Sequence, residues 1–489
     1  MRFIQIIVLI LLVNIMNGQT KLPELKGLDK DINKLIEQYK AVGLSVAVVK
    51  DNKIIYSKGF GYRDLEQQLL VDAQTVFPIG SVTKAFTGAL LGIQEAKNQL
   101  SLKEKPSLYV PNLAFYSDEM NNLIAIEDLL SHKSGIGNQG TTERFFPSTD
   151  KLEVVQRLRF LRPEGEVKNS FEYSNMAYAL AGTITEQVTG KSWETNIQEN
   201  LFEPLVMPNS FTGLAEMKKT KNYALPYGLY QEKIEQVSFE KFYSVSPAGA
   251  IKSNVLDISN WMLTWLNKGK FSEQQVIPSE YVAKATRLQN IKPGVYEQDS
   301  FLYGDGFGWR LRSSYGHYRI DHGGNTYGFS SNLILFPLDG IGVIVLTNQD
   351  NSLLPYMVAD NIIRRLFQLA PEPEYPVVVT DIFKPSPYNP LNKDKMPTHP
   401  LSSYTGNYTA DGFGKLEVVL NDNKLVAILP TFKFQLEHVN YNTFYLKPTT
   451  DFKDVFNPQF TVKFTMNTEG KIAVLEMYSQ KEPVSFTKE

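Results

Sequence analysis

Apolar residues with helical spacing follow a short stretch that contains proline and glycine, Phe77-Pro78-Ile79-Gly80-Ser81. Beyond Ser81 they recur at i, i+3, i+4, i+7, i+8 and i+11, the period of one helical face: Val82, Ala85, Phe86, Ala89, Leu90 and Ile93. The pattern predicts a helix that carries Ser81 and Lys84 on one side of its first turn. Gly88 and Gly92 continue that side, where their small size leaves room for another element to approach.

The remaining hydrophobic pattern predicts an α+β fold. Helices are expected at 31–40, 123–130, 177–188 with Gly190 as the stop, 255–266 and 355–369. Strands are expected at 44–49, 53–56, 59–62, 318–324, 331–336 and 341–347. Because the strands lie towards both ends of this region and the helices lie between them, we expect an antiparallel sheet, assembled from both ends, that packs against helices.

The pattern changes after residue 370. Eight prolines between residues 371 and 400 predict an extended linker. From residue 401 to residue 489, apolar and polar positions alternate in about eight short strands, which predicts a small antiparallel β-barrel. The predicted division is therefore a signal segment (1–18), a main domain (19–370), a linker (371–400) and a barrel domain (401–489).

Composition excludes several classes of function. The 489 residues are 43% hydrophobic and 12% aromatic, which indicates a globular protein with more than one domain. A net charge of −2 without a long basic run argues against a nucleic-acid partner. The chain has no cysteine, so thiol chemistry, disulfides and thiolate metal sites are excluded. With no His-Glu-x-x-His motif either, neither a metal nor a cofactor is expected.

The N-terminal segment has the features of a secretory signal. Arg2 precedes an apolar run over residues 4–13, and the small residue Gly18 follows. The run is shorter than the ~20 residues that a membrane span needs. We therefore expect cleavage near Gly18 and a secreted or periplasmic protein; the alternative is an uncleaved anchor, which would be the chain's only membrane contact.

Three short motifs are candidates for chemistry. Serine is a weak nucleophile until a neighbour takes its proton, and a lysine one helical turn away is able to do so. Ser-x-x-Lys occurs four times, but only Ser81 begins an apolar helix. Tyr173-Ser174-Asn175 contains the only Tyr-x-Asn among 25 tyrosines, and His322-Gly323-Gly324 the only His-x-Gly among five histidines. No Gly-x-Ser-x-Gly elbow is present, which argues against an α/β-hydrolase.

Together these motifs resemble those of the serine β-lactamase and penicillin-binding-protein family, in its class C and D-stereospecific peptidase branch (peptidase S12-like). They occur in the family's order, and the resemblance covers about residues 35–369. Two accompanying phrases, Leu129–Gly135 and Pro247–Gly249, are also similar to the family's. The barrel region resembles a lipocalin-like domain found in some members, and it opens with Tyr404-Thr405-Gly406-Asn407-Tyr408.

The resemblance implies a role for each site residue. Ser81 would attack a carbonyl group and become acylated, while Lys84 and Tyr173 share the proton transfers. The residues implied in substrate binding are Asn175, His322, Gly324 and Asn325. His322 would hydrogen-bond Tyr173 or a substrate carboxylate, which makes anion binding depend on pH near neutrality. Gly323 and Gly324 would leave room for the substrate, the backbone N–H groups of Ser81 and Asn325 would form an oxyanion hole, and His132 would brace its loop.

The sequence thus predicts an exported serine hydrolase that cleaves an amide, peptide or ester bond through an acyl-serine intermediate. One alternative is a penicillin-binding or peptidoglycan-sensing protein with slow turnover, because no deacylating carboxylate is identified. Another is a scaffold of the same fold without catalysis. The expected partner is a small-molecule or peptide substrate, with cell-wall compounds as one class; self-association is left open, as is the barrel's role in ligand binding, gating, oligomerisation or packing.

Overall fold

The computed structural model describes residues 22–137, 145–230, 233–240, 245–292, 302–372, 374–375, 395–449, 461–478 and 483–489. The predicted signal segment and residues 376–394 of the predicted linker lie outside these ranges. None of the described helices is long and apolar enough to cross a membrane.

A nine-stranded antiparallel sheet is the centre of the larger unit. Its strands are β1 (Gly43–Lys50), β2 (Lys53–Asp64), β3 (Leu69–Leu70), β10 (Asn290–Ile291), β11 (Tyr303–Asp305), β12 (Arg310–Ser314), β13 (His317–Thr326), β14 (Phe329–Phe336) and β15 (Ile341–Thr347). They lie in the order β10-β11-β12-β13-β14-β15-β1-β2-β3. Three two-stranded sheets accompany it, which pair Phe77–Pro78 (β4) with Lys252–Ser253 (β7), Tyr227–Tyr230 (β5) with Lys233–Gln236 (β6), and Lys270–Phe271 (β8) with Gln274–Gln275 (β9). The pairing of β1 with β15 joins the two ends of the region, as the strand pattern predicts.

Helices cover both faces of this sheet. They are α1 (Leu28–Tyr39), α2 (Thr83–Ala96), α3 (Asp118–Leu123), α4 (Ile126–Leu130), α5 (Lys151–Gln156), α6 (Asn175–Thr189), α7 (Trp193–Ile197), α8 (Leu214–Lys219), α9 (Ser246–Gly249), α10 (Val255–Leu266), α11 (Ser279–Ala285) and α12 (Leu354–Leu366). Strand β15 shows why two cores form: Val343 and Val345 pack with α1 and α12, whereas Ile344 and Leu346 join the core that contains α2. The described residues of 101–219 form a helical lobe beside the sheet.

Several predicted boundaries differ from the structure, such as the helix expected at 355–369, which ends at Leu366, and two predictions are wrong in the continuity of an element. Residues 53–56 and 59–62 belong to one strand, β2, because β1 pairs continuously with Ser57, Lys58 and Gly59 between them. The helix expected at 123–130 is interrupted: α3 ends at Leu123, and α4 starts anew with the Asp128 carboxylate accepting the Ala125 N–H at 2.9 Å. Both differences arise from hydrogen bonds, between paired strands in the first case and at a helix start in the second. The spacing of apolar residues along the chain does not predict such bonds.

The C-terminal region is a closed eight-stranded antiparallel barrel. Its strands are β16 (Gly406–Ala410), β17 (Gly414–Asn421), β18 (Lys424–Ile428), β19 (Lys433–Asn440), β20 (Thr443–Pro448), β21 (Thr461–Met466), β22 (Ile472–Tyr478) and β23 (Val484–Lys488). Aromatic side chains pack together in its core, with Tyr404 and Phe464 ring centroids 5.0 Å apart. The α+β class and the separate barrel are thus confirmed.

The barrel contacts the helical lobe through aromatic side chains. Phe145 is fully buried, and its ring centroid lies 5.5 Å from that of Phe432 and 5.8 Å from that of Phe434. Phe146 makes a similar contact with Phe486 at 5.6 Å. These two consecutive phenylalanines therefore attach the lobe to the barrel.

Candidate active site

Ser81 lies where a short 3-10 turn, Gly80–Val82, leads into α2. Gly80 adopts a left-handed φ of +53°, and a Cβ atom there would lie 2.8 Å from the Asn325 backbone nitrogen. The Gly80–Val82 turn therefore packs directly against the backbone of β13. Ser81 is half-buried, whereas the next twelve helical residues from Thr83 are buried, so the serine stands at the accessible head of a rigid helix.

The approach expected along Gly88 and Gly92 is present in the structure. Cβ atoms at these two positions would lie 2.5 Å from the hydroxyl oxygen and 2.2 Å from the ring of Tyr281, respectively. Tyr281, on α11, is fully buried. Any larger residue on this side of α2 would push α11 away from the helix that carries Ser81.

Lys84 is fully buried and bonded to three oxygens. Its Nζ lies 3.1 Å from Ser81 Oγ, 2.8 Å from Asn175 Oδ1 and 2.8 Å from the backbone oxygen of Ala248. The Asn175 and Ala248 oxygens only accept hydrogen bonds, so Lys84 must donate to both. The third N–H group of Lys84, or the lone pair if the amine is neutral, therefore faces Ser81 Oγ.

Tyr173 and Asn175 reach the same point from the start of α6. The Ser174 side chain caps this helix by accepting the Ala177 N–H at 3.1 Å, and Gly190 ends it with a left-handed φ of +68°, as predicted. The residues on either side of the cap point into the site. The Tyr173 hydroxyl donates to Ser81 Oγ at 2.7 Å.

His132 braces the tyrosine, in agreement with the structural role that we predict for it. Its Nδ1 accepts the Ser174 N–H at 3.2 Å, its backbone oxygen accepts the Glu172 N–H at 2.9 Å, and its ring centroid lies 4.6 Å from that of Tyr173. Burial, with a smaller contribution from the nearby Lys84 charge, holds the pKa of His132 well below its usual value. A neutral imidazole is required for the Nδ1 acceptor role.

His322 makes a different contact from the Tyr173 hydrogen bond that the resemblance implies, while its contact with a substrate carboxylate stays a prediction. Among the described residues, the hydrogen bond of the His322 ring joins its Nδ1 to the backbone oxygen of Gly323 at 2.6 Å. The ring does not bond to Tyr173. Burial, together with the positive charges of Arg310 and Lys84, lowers the pKa of His322 to about 3. The expectation that this histidine changes its charge near neutral pH is therefore wrong.

The two glycines after His322 serve the packing of the protein itself. A Cβ atom on Gly323 would lie 1.9 Å from the Tyr356 hydroxyl, and one on Gly324 would lie 2.1 Å from the Ile79 backbone oxygen. Glycine is therefore required at both positions by the packing of the protein itself, and the room for a substrate along this strand stays a prediction. Asn325 follows, exposed, with its Oδ1 accepting the Ser330 hydroxyl at 2.7 Å.

Sequence reasoning missed a group of arginines behind the third motif. Arg312 and Arg319 bind the fully buried Asp321 at 2.9–3.0 Å. Burial opposes ionisation of this carboxyl group, but the arginines outweigh it and lower the pKa of Asp321 to about 2. Burial likewise opposes the charge of Arg310, yet Asp321 and nearby tyrosines, including Tyr173, raise the pKa of Arg310 above its usual value.

The role of Ala248 also needed the structure. In the structure the Ala248 backbone oxygen accepts a hydrogen bond from Lys84, and the Pro247 backbone oxygen accepts one from the Thr87 hydroxyl at 2.7 Å. The residue types in the segment Pro247–Gly249 do not indicate either bond. For the arginine group, by contrast, the alternating charges Arg310-x-Arg312 and Arg319-x-Asp321 are a signal in the sequence that could have identified it. On paired strands such spacing puts the charges on one face.

Comparison with known proteins identifies the family. The Beta-lactamase family model matches residues 28–365, more than two thirds of the chain. The chain belongs to the β-lactamase family. This result confirms the resemblance drawn from the three motifs. A second model, a domain of unknown function (DUF3471), matches residues 391–488 and so includes the barrel.

Relatives of this β-lactamase family protein are distant in sequence. It is 27% identical over 335 residues to Protein flp of Staphylococcus aureus strain N315, which covers 68% of this chain and 64% of flp. The chain thus spans less than two thirds of that relative's length. It is 25% identical to the Unguisins hydrolase ungD of Aspergillus violaceofuscus over 443 residues, 82% of this chain and 77% of that protein.

Solved structures share the fold over most of the chain. The octameric penicillin-binding protein homologue from Pyrococcus abyssi has a TM-score of 0.66 at 22% identity, covering 94% of this chain and 99% of its own. SurE has a TM-score of 0.57 at 18% identity, covering 95% and 99%. At these identities the match supports the architecture of the β-lactamase family protein and no finer property.

Proposed function

We propose that this β-lactamase family protein is a serine hydrolase that cleaves an amide, peptide or ester bond through an acyl-Ser81 intermediate. The observation that carries the proposal is the contact of Ser81 Oγ with two groups able to transfer protons, Lys84 Nζ at 3.1 Å and the Tyr173 hydroxyl at 2.7 Å. A nucleophile within hydrogen-bond distance of its base, itself oriented by further groups, is the arrangement that covalent catalysis requires.

Lys84 is positioned for the first proton transfer in its neutral form. A neutral amine has two N–H groups and one lone pair, and the Asn175 and Ala248 oxygens take both N–H groups. The lone pair then faces the Ser81 hydroxyl. In its charged form, Lys84 instead donates a third hydrogen bond to Ser81 and stabilises negative charge there.

The proposed reaction has two steps, acylation of Ser81 and hydrolysis of the acyl-serine. Ser81 Oγ bonds to the substrate carbonyl carbon while its proton passes to the Lys84 and Tyr173 pair. Tyr173 then delivers a proton to the leaving nitrogen or oxygen as that bond breaks, which yields the acyl-serine. Water, deprotonated by the same pair, attacks the acyl carbon, and the proton returns to Ser81 as the acid is released.

Substrates with a carboxylate are favoured by the charge of the site. Arg310 keeps its charge and lies near enough to His322 to lower the pKa of that ring. His322, by contrast, is neutral at physiological pH. The name of one relative agrees with bond cleavage, since ungD is called a hydrolase.

A slow penicillin-binding or sensing function is the second candidate. Among the described residues, the hydrogen bonds recorded for Ser81, Lys84 and Tyr173 include no carboxylate that would activate a deacylating water. If Tyr173 and Lys84 activate water poorly, the acyl-enzyme persists. The lifetime of the adduct therefore separates the two functions.

The test is intact-protein mass spectrometry and peptide mapping after incubation with a fluorophosphonate and, separately, with a penicillin. We expect one adduct, on Ser81, and none in Ser81→Ala. Ser148→Ala is the matched control, because Ser148 also begins a Ser-x-x-Lys spacing but contacts Glu153 on the surface; its labelling should equal that of the parent. Folded protein that gains no adduct from either reagent would support the scaffold alternative.

We also propose export and self-association. The apolar segment at 4–13 supports a cleaved signal, which N-terminal sequencing of the mature protein would test. The octameric state of the penicillin-binding protein homologue from Pyrococcus abyssi supports a homo-oligomer, which light scattering during size-exclusion chromatography would measure.

A further inference from the structure

A groove of about 520 Å³ lies between the helical lobe and the barrel. The lobe contributes Tyr116, Arg159, Phe160 and Arg162, and the barrel contributes polar residues that include Asp411 and Ser485. None of the residues that line the groove belongs to the three motifs around Ser81. Concave sites between two structural units are common positions for small-molecule binding.

Direct contacts fix the two walls of the groove relative to each other. Gly412 has a left-handed φ of +78°, and a Cβ atom there would lie 2.7 Å from Cβ of Phe160. A second contact joins Phe146 to Phe486. The groove is therefore preformed, and a ligand in it would not have to bring the walls together.

The groove combines positive charge with exposed aromatic rings. Arg159 donates to the Asn112 backbone oxygen at 2.7 Å, and the Arg162 guanidinium carbon lies 5.9 Å from the Tyr116 ring centroid. These contacts hold both guanidinium groups at the groove, which Asp411 also lines. Tyr116 and Phe160 remain 44% and 42% exposed, so both residues are accessible to a ligand.

We infer that this groove binds a small aromatic carboxylate. A guanidinium group recognises a carboxylate by paired hydrogen bonds, and Tyr116 and Phe160 offer ring faces on which a planar group stacks. Hydroxyl groups of the barrel wall, such as that of Ser485, supply further hydrogen bonds. The inference does not depend on acylation of Ser81, so each is tested separately.

Isothermal titration of the full chain with hippurate tests the inference. Hippurate carries a phenyl ring, an amide and a carboxylate; its methyl ester keeps the ring and loses the charge. We expect saturable binding of hippurate with a stoichiometry of one per groove, and at least about tenfold weaker binding of the ester, since a charge-assisted hydrogen bond contributes that much affinity. The Ser81→Ala background prevents turnover during the titration.

Substitutions locate the binding site. Arg162→Gln, Arg159→Gln and Tyr116→Leu should each weaken hippurate binding, the arginine variants by about tenfold. Arg287→Gln is the matched control, because Arg287 is an exposed arginine outside the groove, and its affinity should equal that of the parent. Equal affinity for the ester, or unchanged affinity in all three groove variants, would overturn the inference; the latter result would move binding to the Ser81 site.

Discussion

Tyr173 and Ser81 are 92 residues apart in the chain, and their side-chain oxygens lie 2.7 Å apart. Tyr173 is held by the cap of α6 and by the His132 ring, whereas Ser81 is held by the turn before α2. The contact thus joins the helical lobe to the turn that precedes α2. The importance of this contact for catalysis is tested by substitutions that remove the Tyr173 hydroxyl or the Lys84 amine.

Tyr173→Phe should reduce kcat/KM by about 10²–10⁴, the usual contribution of a general acid or base, with little change in stability. Tyr178→Phe is the matched control, because the Tyr178 hydroxyl donates to the Leu130 backbone oxygen at 2.7 Å inside the core and does not contact Ser81. That variant should lose about 1 kcal/mol of unfolding free energy and retain its turnover. Steady-state kinetics and urea denaturation measure both effects; full activity in Tyr173→Phe would exclude the tyrosine from proton transfer.

Lys84→Ala should slow acylation of Ser81 by several orders of magnitude, because both the base and the positive charge beside the serine oxygen are lost. The rate of fluorophosphonate labelling, followed by mass spectrometry, measures this step directly. Lys252→Ala provides a control, since Lys252 is also buried but its Nζ donates to the Thr212 backbone oxygen instead. An unaltered labelling rate in Lys84→Ala would remove this lysine from the mechanism.

Gly80→Ala should impair turnover because its Cβ atom would lie 2.8 Å from the Asn325 nitrogen and displace β13 from the Ser81 turn. Gly190→Ala is a close control: it has a similar left-handed φ, but nothing lies within 4 Å of the added atom. Both variants should lose about 1 kcal/mol of stability from backbone strain. Only Gly80→Ala should also lose kcat, and equal kcat values in the two variants would contradict the proposed contact.

Acidification should destabilise the protein through its buried histidines. Burial holds the pKa of His132 well below 6.5, and burial with the Arg310 charge lowers that of His322 to about 3. Below pH 6.5 the unfolded chain binds protons at these positions and the folded protein does not, so stability falls as the pH falls towards 3. Each histidine contributes a slope of at most about 1.4 kcal/mol per pH unit.

The measurement is chemical denaturation at pH 7.0, 6.0 and 5.0 for the parent and for His322→Gln. The variant should lose less stability than the parent over this interval, although its stability at pH 7 is lower. Identical slopes in the parent and in His322→Gln would show that His322 does not remain neutral in the folded state.

Local signals allowed much of the fold to be predicted. The helix predicted at 177–188 lies within the observed Asn175–Thr189, because its apolar spacing and the terminal Gly190 are signals within the segment itself. The helix Val255–Leu266 and the strand Ile341–Thr347 were predicted with their observed limits for the same reason. The alternation of apolar residues after residue 401 likewise predicted the barrel, because strand periodicity is a local property.

The order and spacing of the three motifs were enough for the sequence by itself to determine the family and the candidates Ser81, Lys84 and Tyr173. Only the tertiary structure decided what surrounds them: the Ala248 oxygen on Lys84, the Gly323 oxygen on His322 and the arginines on Asp321. These partners are backbone atoms, or side chains on different strands, and their positions depend on how the strands pair. The neutral state of His322 likewise follows from burial and from the nearby charge of Arg310, which no sequence spacing records.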